Sequence, residues 1–315
     1  MFSRIPKLKP LTKSLMSFIV PKLGTVHGYD NPLGTFSAES CYSIFLRHAC
    51  LLRKAGVRDA PKIVAELGPG SSLGTGFAAL IAGAERYYAL DLIDFTNVEH
   101  SLFIFDQLVG MFREKAPIPS SGVHSLRFPD LDDYGYPDFL EVEANAAFEK
   151  RVAVIRQDIA SNAGDFIKIA APWTEAVIER RSVDWIFSQS VLEHIDAIGD
   201  GYRSFAEWLK PRGYMSHLID FSSHGMTREW NGHWALGDFA WAALRGRRPY
   251  LINRQPYEEY HRLAKVNGFA TVLERRSKRF DGLIPEQFAP RFRTISDEDA
   301  RLHMVLVISQ LTRSC

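Results

Sequence analysis

The sequence predicts an α/β fold: a doubly wound sheet of seven strands, mostly parallel, with an antiparallel last strand. Three observations predict it. Short apolar runs recur along the chain, most of them alternating with amphipathic helical patterns. That alternation builds a parallel sheet with helices on both faces. The first run empties into a glycine turn, Ile63-Val64-Ala65-Glu66-Leu67-Gly68-Pro69-Gly70. The last two runs have no helical pattern between them. A parallel pair needs a crossover, so these two are expected to be antiparallel.

Residues 36–56 read as a helix, with apolar positions at 41, 42, 45, 46, 49 and 52 and Gly56 as its stop. A strand over 62–67 is bounded by Pro61 and the glycine turn, and a small-residue helix over 73–83 comes next. A second strand, 86–91, ends in Asp91. Residues 97–115 carry apolar positions at 98, 102, 105, 109 and 112, the spacing of an amphipathic helix. Residues 116–147 open rich in Pro, Gly, Asp and Ser and read as an irregular insertion. Strands three, four and five are expected over 151–158, ending in Asp158, 182–189 and 214–220. A helix over 198–209 precedes the fifth and stops at Pro211-Arg212-Gly213. After a long insertion, 221–255, a helix over 256–268 begins with Pro and ends with Gly. Strands six and seven are 269–276 and 302–309. The expected division is a basic tail and helical cap over 1–60, then an α/β domain over 61–315. That domain carries both insertions, the second as a lid.

The chain has 315 residues, 46% hydrophobic and 24% charged, which suits one large globular core. Lys plus Arg number 38 against 37 Asp plus Glu. That balance argues against a nucleic-acid coat, which needs a basic excess. Cys41, Cys50 and Cys315 are odd in number and form no C-x-x-C. A disulfide framework or thiolate zinc site is therefore not expected, and a reducing cytoplasm is the natural compartment. No apolar run is long enough to span a bilayer. Residues 1–23 hold Arg4, Lys7, Lys9, Lys13 and Lys22, no acid, and an apolar patch from Leu15 to Val20. Two readings stand: a solvated tail, or a segment resting peripherally on the anionic inner face of a membrane.

The glycine turn sits where a doubly wound sheet binds ligands, outside the carboxyl end of a strand. The dinucleotide pattern G-x-G-x-x-G would put its third glycine at 73. That residue is Leu73, and the glycine comes one later, at Gly74. Glu66, two before Gly68, sits poorly with a pyrophosphate and well with a cationic ligand. No G-x-x-x-x-G-K-[ST] phosphate loop occurs. Glu66-x-Gly68-x-Gly70, the acids Asp91 and Asp158, and the stretches VDWIFSQSVLEHI (183–195) and LKPRGYMSHLIDF (209–221) together resemble the class I S-adenosylmethionine-dependent methyltransferases. These are Rossmann-like enzymes, and the likeness is strongest to their bacterial type 11 members. It spans about residues 60–310.

The resemblance implies S-adenosylmethionine as cofactor and a residue-by-residue site. The backbone of Gly68, Pro69 and Gly70 would line the methionine part, and Glu66 would face its amino end. Asp91, with Leu92, would accept the ribose hydroxyls. Asp158 and Ile159 would meet the adenine, and Ser188 and Gln189 would line the transfer site. Plainer readings stand beside these: a bare strand-to-helix turn at Gly68 and Gly70, a helix cap at Asp91, a surface turn at Asp158. Glu193 and His194 also read as simply opening a helix.

Methyl transfer needs alignment and a dry cavity, and a base only where the acceptor must lose a proton. Candidate bases are His194, His217 and Asp220. No metal is expected, since His217 and His224 have a spacing that no standard site demands. The connection between the last two strands carries Lys278, Arg279, Arg291 and Arg293, and the insertion after strand five carries Arg245, Arg247, Arg248 and Arg254. If both lie over the mouth, they suggest an anionic acceptor. The alternative is solvated charges paired with nearby acids. Trp230, Trp234, Trp241 and Tyr250 read either as a stacking surface or as packing for the insertion. The function expected is transfer to a small-molecule, saccharide or lipid-linked acceptor, with oxygen slightly favoured and no nucleic-acid partner. The alternatives are a nicotinamide-dependent oxidoreductase and a non-catalytic binding scaffold of the same fold.

Overall fold

A computed structural model describes residues 37–120, 128–248 and 251–312. The N-terminal segment with its expected membrane contact, and Tyr250, lie outside the described residues. No described helix is long and apolar enough to cross a membrane.

The element order is α1 (Ala38–Lys54), β1 (Ile63–Leu67), α2 (Gly74–Ile81), β2 (Arg86–Leu90), α3 (Val98–Arg113), α4 (Ala146–Ser161), β3 (Ile167–Ala170), β4 (Val183–Gln189), α5 (Ile198–Trp208), β5 (Leu209–Asp220), α6 (Asp238–Arg245), α7 (Tyr257–Val266), β6 (Phe269–Lys278), α8 (Asp297–Ala300) and β7 (Leu302–Leu311). Seven strands form one sheet in the order β3-β2-β1-β4-β5-β7-β6. Pairing is parallel from β3 through β5, and β7 runs antiparallel to both of its neighbours. The Rossmann-like, doubly wound sheet with an antiparallel last strand is therefore the observed fold. A six-stranded dinucleotide sheet sets β6 beside β5; here β7 occupies that place.

One face packs against α1 to α4 through residues such as Phe45, Phe77, Phe105, Trp185 and Phe187. The other packs against α5 and α7 through Ile186, Phe205, Tyr260 and Leu263. Helix α1 starts on the Ser37 cap and buries Cys41, Tyr42, Phe45 and Leu46. Its Arg47, 1% exposed, donates to Pro119 O at 2.8 Å and so pins the irregular 116–147 segment to the helix.

Two expectations need correction. Residues 151–158 belong to helix α4. The alternation of Val152 and Val154 suggests a strand, but the longer run Phe148, Val152, Ile155, Ile159 has helical spacing and supplies the buried side, while Val154 is 41% exposed. The true β3 begins further on, after Asn162 and Gly164 turn the chain with positive φ. Strand β5 also begins at Leu209, before Pro211 and Gly213, with irregular pairing opposite Val183 and Trp185.

Candidate functional site

Strand order reverses between β1 and β4, since β2 and β3 lie to one side and β4 and β5 to the other. A ligand crevice is expected outside the carboxyl ends there. An apolar hollow lined by Phe45, Leu52, Val64, Leu140 and Trp185 lies near the amino ends of the strands instead, away from this edge.

The loop after β1 is built on two glycines. Gly68 donates its N–H to Leu90 O at 2.8 Å, continuing the ladder to β2. Its φ is +62°, and a Cβ there would lie 2.5 Å from Val191 Cγ2 in the loop after β4. Gly70 has φ +71°. Glycine supplies the left-handed backbone at both and, at Gly68, room for the second loop. Gly74 has another cause: a Cβ there would strike Cys41 Sγ and Ile104, so this glycine lets α1 and α3 approach α2.

Glu66 is 4% exposed, and the Tyr87 hydroxyl donates to its Oε2 at 2.6 Å. Burial lifts its carboxyl to about 7, against hydrogen bonds that include Tyr87 and the Gly76 N–H. Its carboxylate thus ties β1 to β2 and to the first turn of α2 beneath the loop, rather than facing an amino group in the crevice. Asp91 follows β2, with Oδ1 accepting from Leu92 N at 2.7 Å. Burial raises its carboxyl above the usual range, opposed by the N–H groups of Leu92, Ile93 and Gly70. The Gly70 contact sets this acid against the glycine loop. Leu92 beside it is 49% exposed.

Asp158 and Ile159 are not at this edge. Asp158 is 4% exposed in α4 and accepts from the N–H groups of Asp165, Phe166 and Ile167 at 2.9, 2.9 and 3.0 Å. It caps the amino end of β3, the end opposite Asp91, and Ile159 is core. The adenine role expected of them fails on that placement.

Ser188 and Gln189 end β4 inside a polar network. Ser188 Oγ is 2.8 Å from His217 Nδ1, and Gln189 Oε1 is 3.2 Å from His48 Nε2. His48 Nδ1 lies 2.7 Å from Ser216 Oγ, which accepts the Trp185 indole N–H at 2.8 Å. Burial lowers His48 to about 4; burial, then His48, lowers His217 to about 3. His217 is fully buried with its ring against Phe205. It is a neutral core histidine, which corrects its expected place as a base.

His194 and Asp220 do converge at the mouth. Glu193 and His194 form a single 3-10 turn, Leu192–His194, after β4, and Asp220 ends β5. Glu193 Oε1 accepts from Asp220 N at 3.3 Å. Asp220 Oδ2 is 3.7 Å from His224 Nε2, and the His194 and His224 rings stand edge to face with centroids 5.0 Å apart. Burial, then the Asp220 charge, pushes the Glu193 carboxyl well above the usual range. Sequence reasoning sets Glu193 and His224 aside. Their neighbourhood depends on the 221–255 chain turning back over β4, and local spacing does not carry that.

The basic residues around the mouth are largely engaged. Arg254 and Arg291 share Asp238 at 2.8 and 2.7 Å, Arg245 pairs with Asp196, Arg279 with Asp281 and Lys278 with Glu298. Arg248 donates to the Leu244 and Arg245 carbonyls. Trp230, Trp234 and Trp241 are buried, with Trp234 donating to Arg254 O at 3.0 Å and the Arg254 guanidinium 4.7 Å from the Trp241 ring centre. These side chains hold the insertion together.

No protein-family model matches the chain, and no curated protein matches it. Among solved structures, it is similar to geranyl diphosphate C-methyltransferase from Streptomyces coelicolor A3(2) at 11% identity and TM-score 0.45, over 84% of this chain and 77% of that one. It is similar to phosphoethanolamine N-methyltransferase 2 from Haemonchus contortus at 12% identity and TM-score 0.42, over 87% and 57%. An S-adenosylmethionine-dependent methyltransferase from Mesorhizobium loti gives 13% identity and TM-score 0.41, over 83% and 96%. At these scores the likenesses stand as findings only, and strand order and loop geometry carry the functional reading.

Proposed function

We propose that the chain is a class I S-adenosylmethionine-dependent methyltransferase acting on a small-molecule, saccharide or lipid-linked acceptor. The observation that carries this reading is the pairing of a double-glycine loop with the Asp91 carboxylate at the sheet's switch point. Two positive-φ glycines open the main chain to a ligand, and Asp91 borders the loop through Gly70 N–H. No Lys or Arg occurs from Ile63 through Glu85. An acid at the loop with no Lys or Arg beside it suits a ligand with a sugar diol better than a diphosphate.

These residues fit the cofactor. The Gly68–Gly70 backbone would hold its methionine end, Asp91 its ribose hydroxyls, and Leu92 would add apolar surface. Glu66 would act from below, as the anchor that fixes the loop. When bound, the cofactor supplies a methyl group on a cationic sulfur. The chain's part is to align the acceptor, exclude water and take a proton where the acceptor is a hydroxyl; Asp220 would be the base, or His194 where no ion occupies it. Oxygen therefore remains the favoured acceptor atom. The paired arginines withdraw the support that they lent to an anionic acceptor.

The test is ligand-linked stability. S-adenosylhomocysteine at about 100 times its Kd should add roughly 2.7 kcal/mol. Asp91→Ala should weaken binding about tenfold or more without lowering the unliganded Tm. A stability gain with a nicotinamide dinucleotide and none with S-adenosylhomocysteine would overturn the proposal in favour of the oxidoreductase.

A further inference from the structure

We propose that Glu193, His194 and His224 bind one divalent transition-metal ion at the mouth of the sheet. One ligand atom from each of the three lies within 4.8 Å of the others. Ligands sharing an ion at about 2.1 Å stand roughly 3.4 Å apart in a tetrahedral shell. His224 is exposed, so its ring is free of core packing and can turn toward the other two.

The second observation is the state of Glu193. The residue is 3% exposed, and its Oε2 is buried with no hydrogen-bond partner. Buried polar atoms are ordinarily paired, and a buried carboxylate oxygen without a donor takes up either a proton or a cation; two imidazoles beside it make a cation the fitting partner here. Oε1 is held by Asp220 N–H, so the carboxylate is oriented through one oxygen while the other has no protein donor. The turn bearing it is also fixed: Glu193 O accepts from Asn253 N at 2.6 Å, and the Asn253 side chain donates to Leu192 O and Ile195 O at 2.9 Å each. Asp220 Oδ2, 3.7 Å from His224 Nε2, can orient that ring as carboxylates do behind metal-bound histidines.

The donor set selects the metal. Two imidazoles and a carboxylate suit zinc, cobalt, iron or manganese; magnesium and calcium prefer all-oxygen shells. Three protein ligands leave positions open, and here the open side is that of exposed His224. If the methyl-transfer reading holds, on which this step rests, the ion would meet an acceptor through an oxygen donor such as a hydroxyl, carboxylate or phosphate. That would supply the positive charge the arginines do not. Metal binding itself does not depend on that reading.

The experiment strips the full chain with a chelator and titrates zinc and cobalt by calorimetry, with cobalt also followed by its visible absorption. About one equivalent should bind, with cobalt showing ligand-field bands of a low-coordinate site, and millimolar magnesium should not compete. His224→Ala should weaken zinc by more than roughly 100-fold, since even residues behind a ligand are worth about 10–100-fold, and should leave the apo Tm unchanged. Glu193→Gln gives a second variant that should lose metal and keep the fold. Stoichiometry well below one equivalent, or wild-type affinity in His224→Ala, overturns the proposal. S-adenosylhomocysteine is titrated into the same samples. Metal binding without it would count against methyl transfer and leave the metal site standing, and the reverse would remove the metal alone.

Discussion

Gly68→Ala tests whether the loop after β1 and the loop after β4 form one surface. The substitution does two separable things. It places a side chain on a backbone at φ +62°, which is disfavoured by roughly 1–2 kcal/mol. It also puts a methyl 2.5 Å from Val191 Cγ2 and 3.0 Å from Cγ1, where about 3.5–4.0 Å is comfortable. Relieving an overlap of that size is typically worth about 1–3 kcal/mol. The single variant should therefore lose roughly 2–5 kcal/mol in urea denaturation and weaken S-adenosylhomocysteine binding as the loop is displaced. Val191→Ala removes both Cγ atoms and leaves Cβ at 3.4 Å, an ordinary contact. In the double variant the overlap part should vanish while the backbone part stays. The coupling should then reach about 1–3 kcal/mol in the favourable direction. A coupling below about 0.5 kcal/mol, the level of independent sites, would refute the contact on which the crevice geometry rests.

Buried carboxylates give two further outcomes. Glu66 has its carboxyl raised from 4.5 to about 7 in the fold, so the native state holds its proton longer and stability falls as pH rises through that window. Glu66→Gln should remove that slope and gain roughly 3 kcal/mol over wild type by pH 8, read as the difference in urea midpoints; an identical pH profile would show that the carboxyl is not perturbed. Asp158→Ala strips the acceptor from three backbone N–H groups and should lower stability by about 2–4 kcal/mol, yet leave S-adenosylhomocysteine affinity within about twofold. A large loss of affinity at intact stability would return Asp158 to the cofactor site.

What is legible in the sequence depends on the range over which each signal acts. The glycine turn, the acid after β2 and the strand-helix alternation are local, so their elements can be read to within a few residues. Asp91 falls at the carboxyl edge as expected because strand and acid are adjacent. Asp158 is misread by the same logic: a short β-branched alternation outweighs the longer face from Phe148 to Ile159, and the carboxylate is carried to the wrong edge with it. Glu66 is visible, but its direction is not, because Tyr87, its partner, lies 21 positions away on another strand. Gly74 counts against a dinucleotide pattern, though its reason is the close approach of Cys41. The histidines divide in the same way. His217 looks equivalent to His194 on the chain, and only the sheet's alternation sends it into the core.

The turn from Ser188 to His194 explains why these features meet. Most residues along it are held by a different neighbour. Ser188 meets His217 on β5, Gln189 meets His48 on α1, and Ser190 N donates to Leu218 O at 2.9 Å. Val191 bears on Gly68, and Glu193 is fixed by Asp220 and Asn253. Restraints from α1, β1, β5 and the 221–255 insertion therefore converge on one short stretch of chain. A segment so restrained can hold a non-glycine residue, Ser190, at φ +54°, which an unconstrained loop would relax. It can also carry a buried, incompletely paired carboxylate, because the surrounding packing denies Glu193 a route to solvent. The segment that bears on the glycine loop through Val191 thus presents Glu193 and His194, the proposed metal ligands, two and three residues later. The glycine loop and the Glu193–His194 cluster are positioned by one restrained turn, so a change at His48, on the far side of Gln189, should be felt at both.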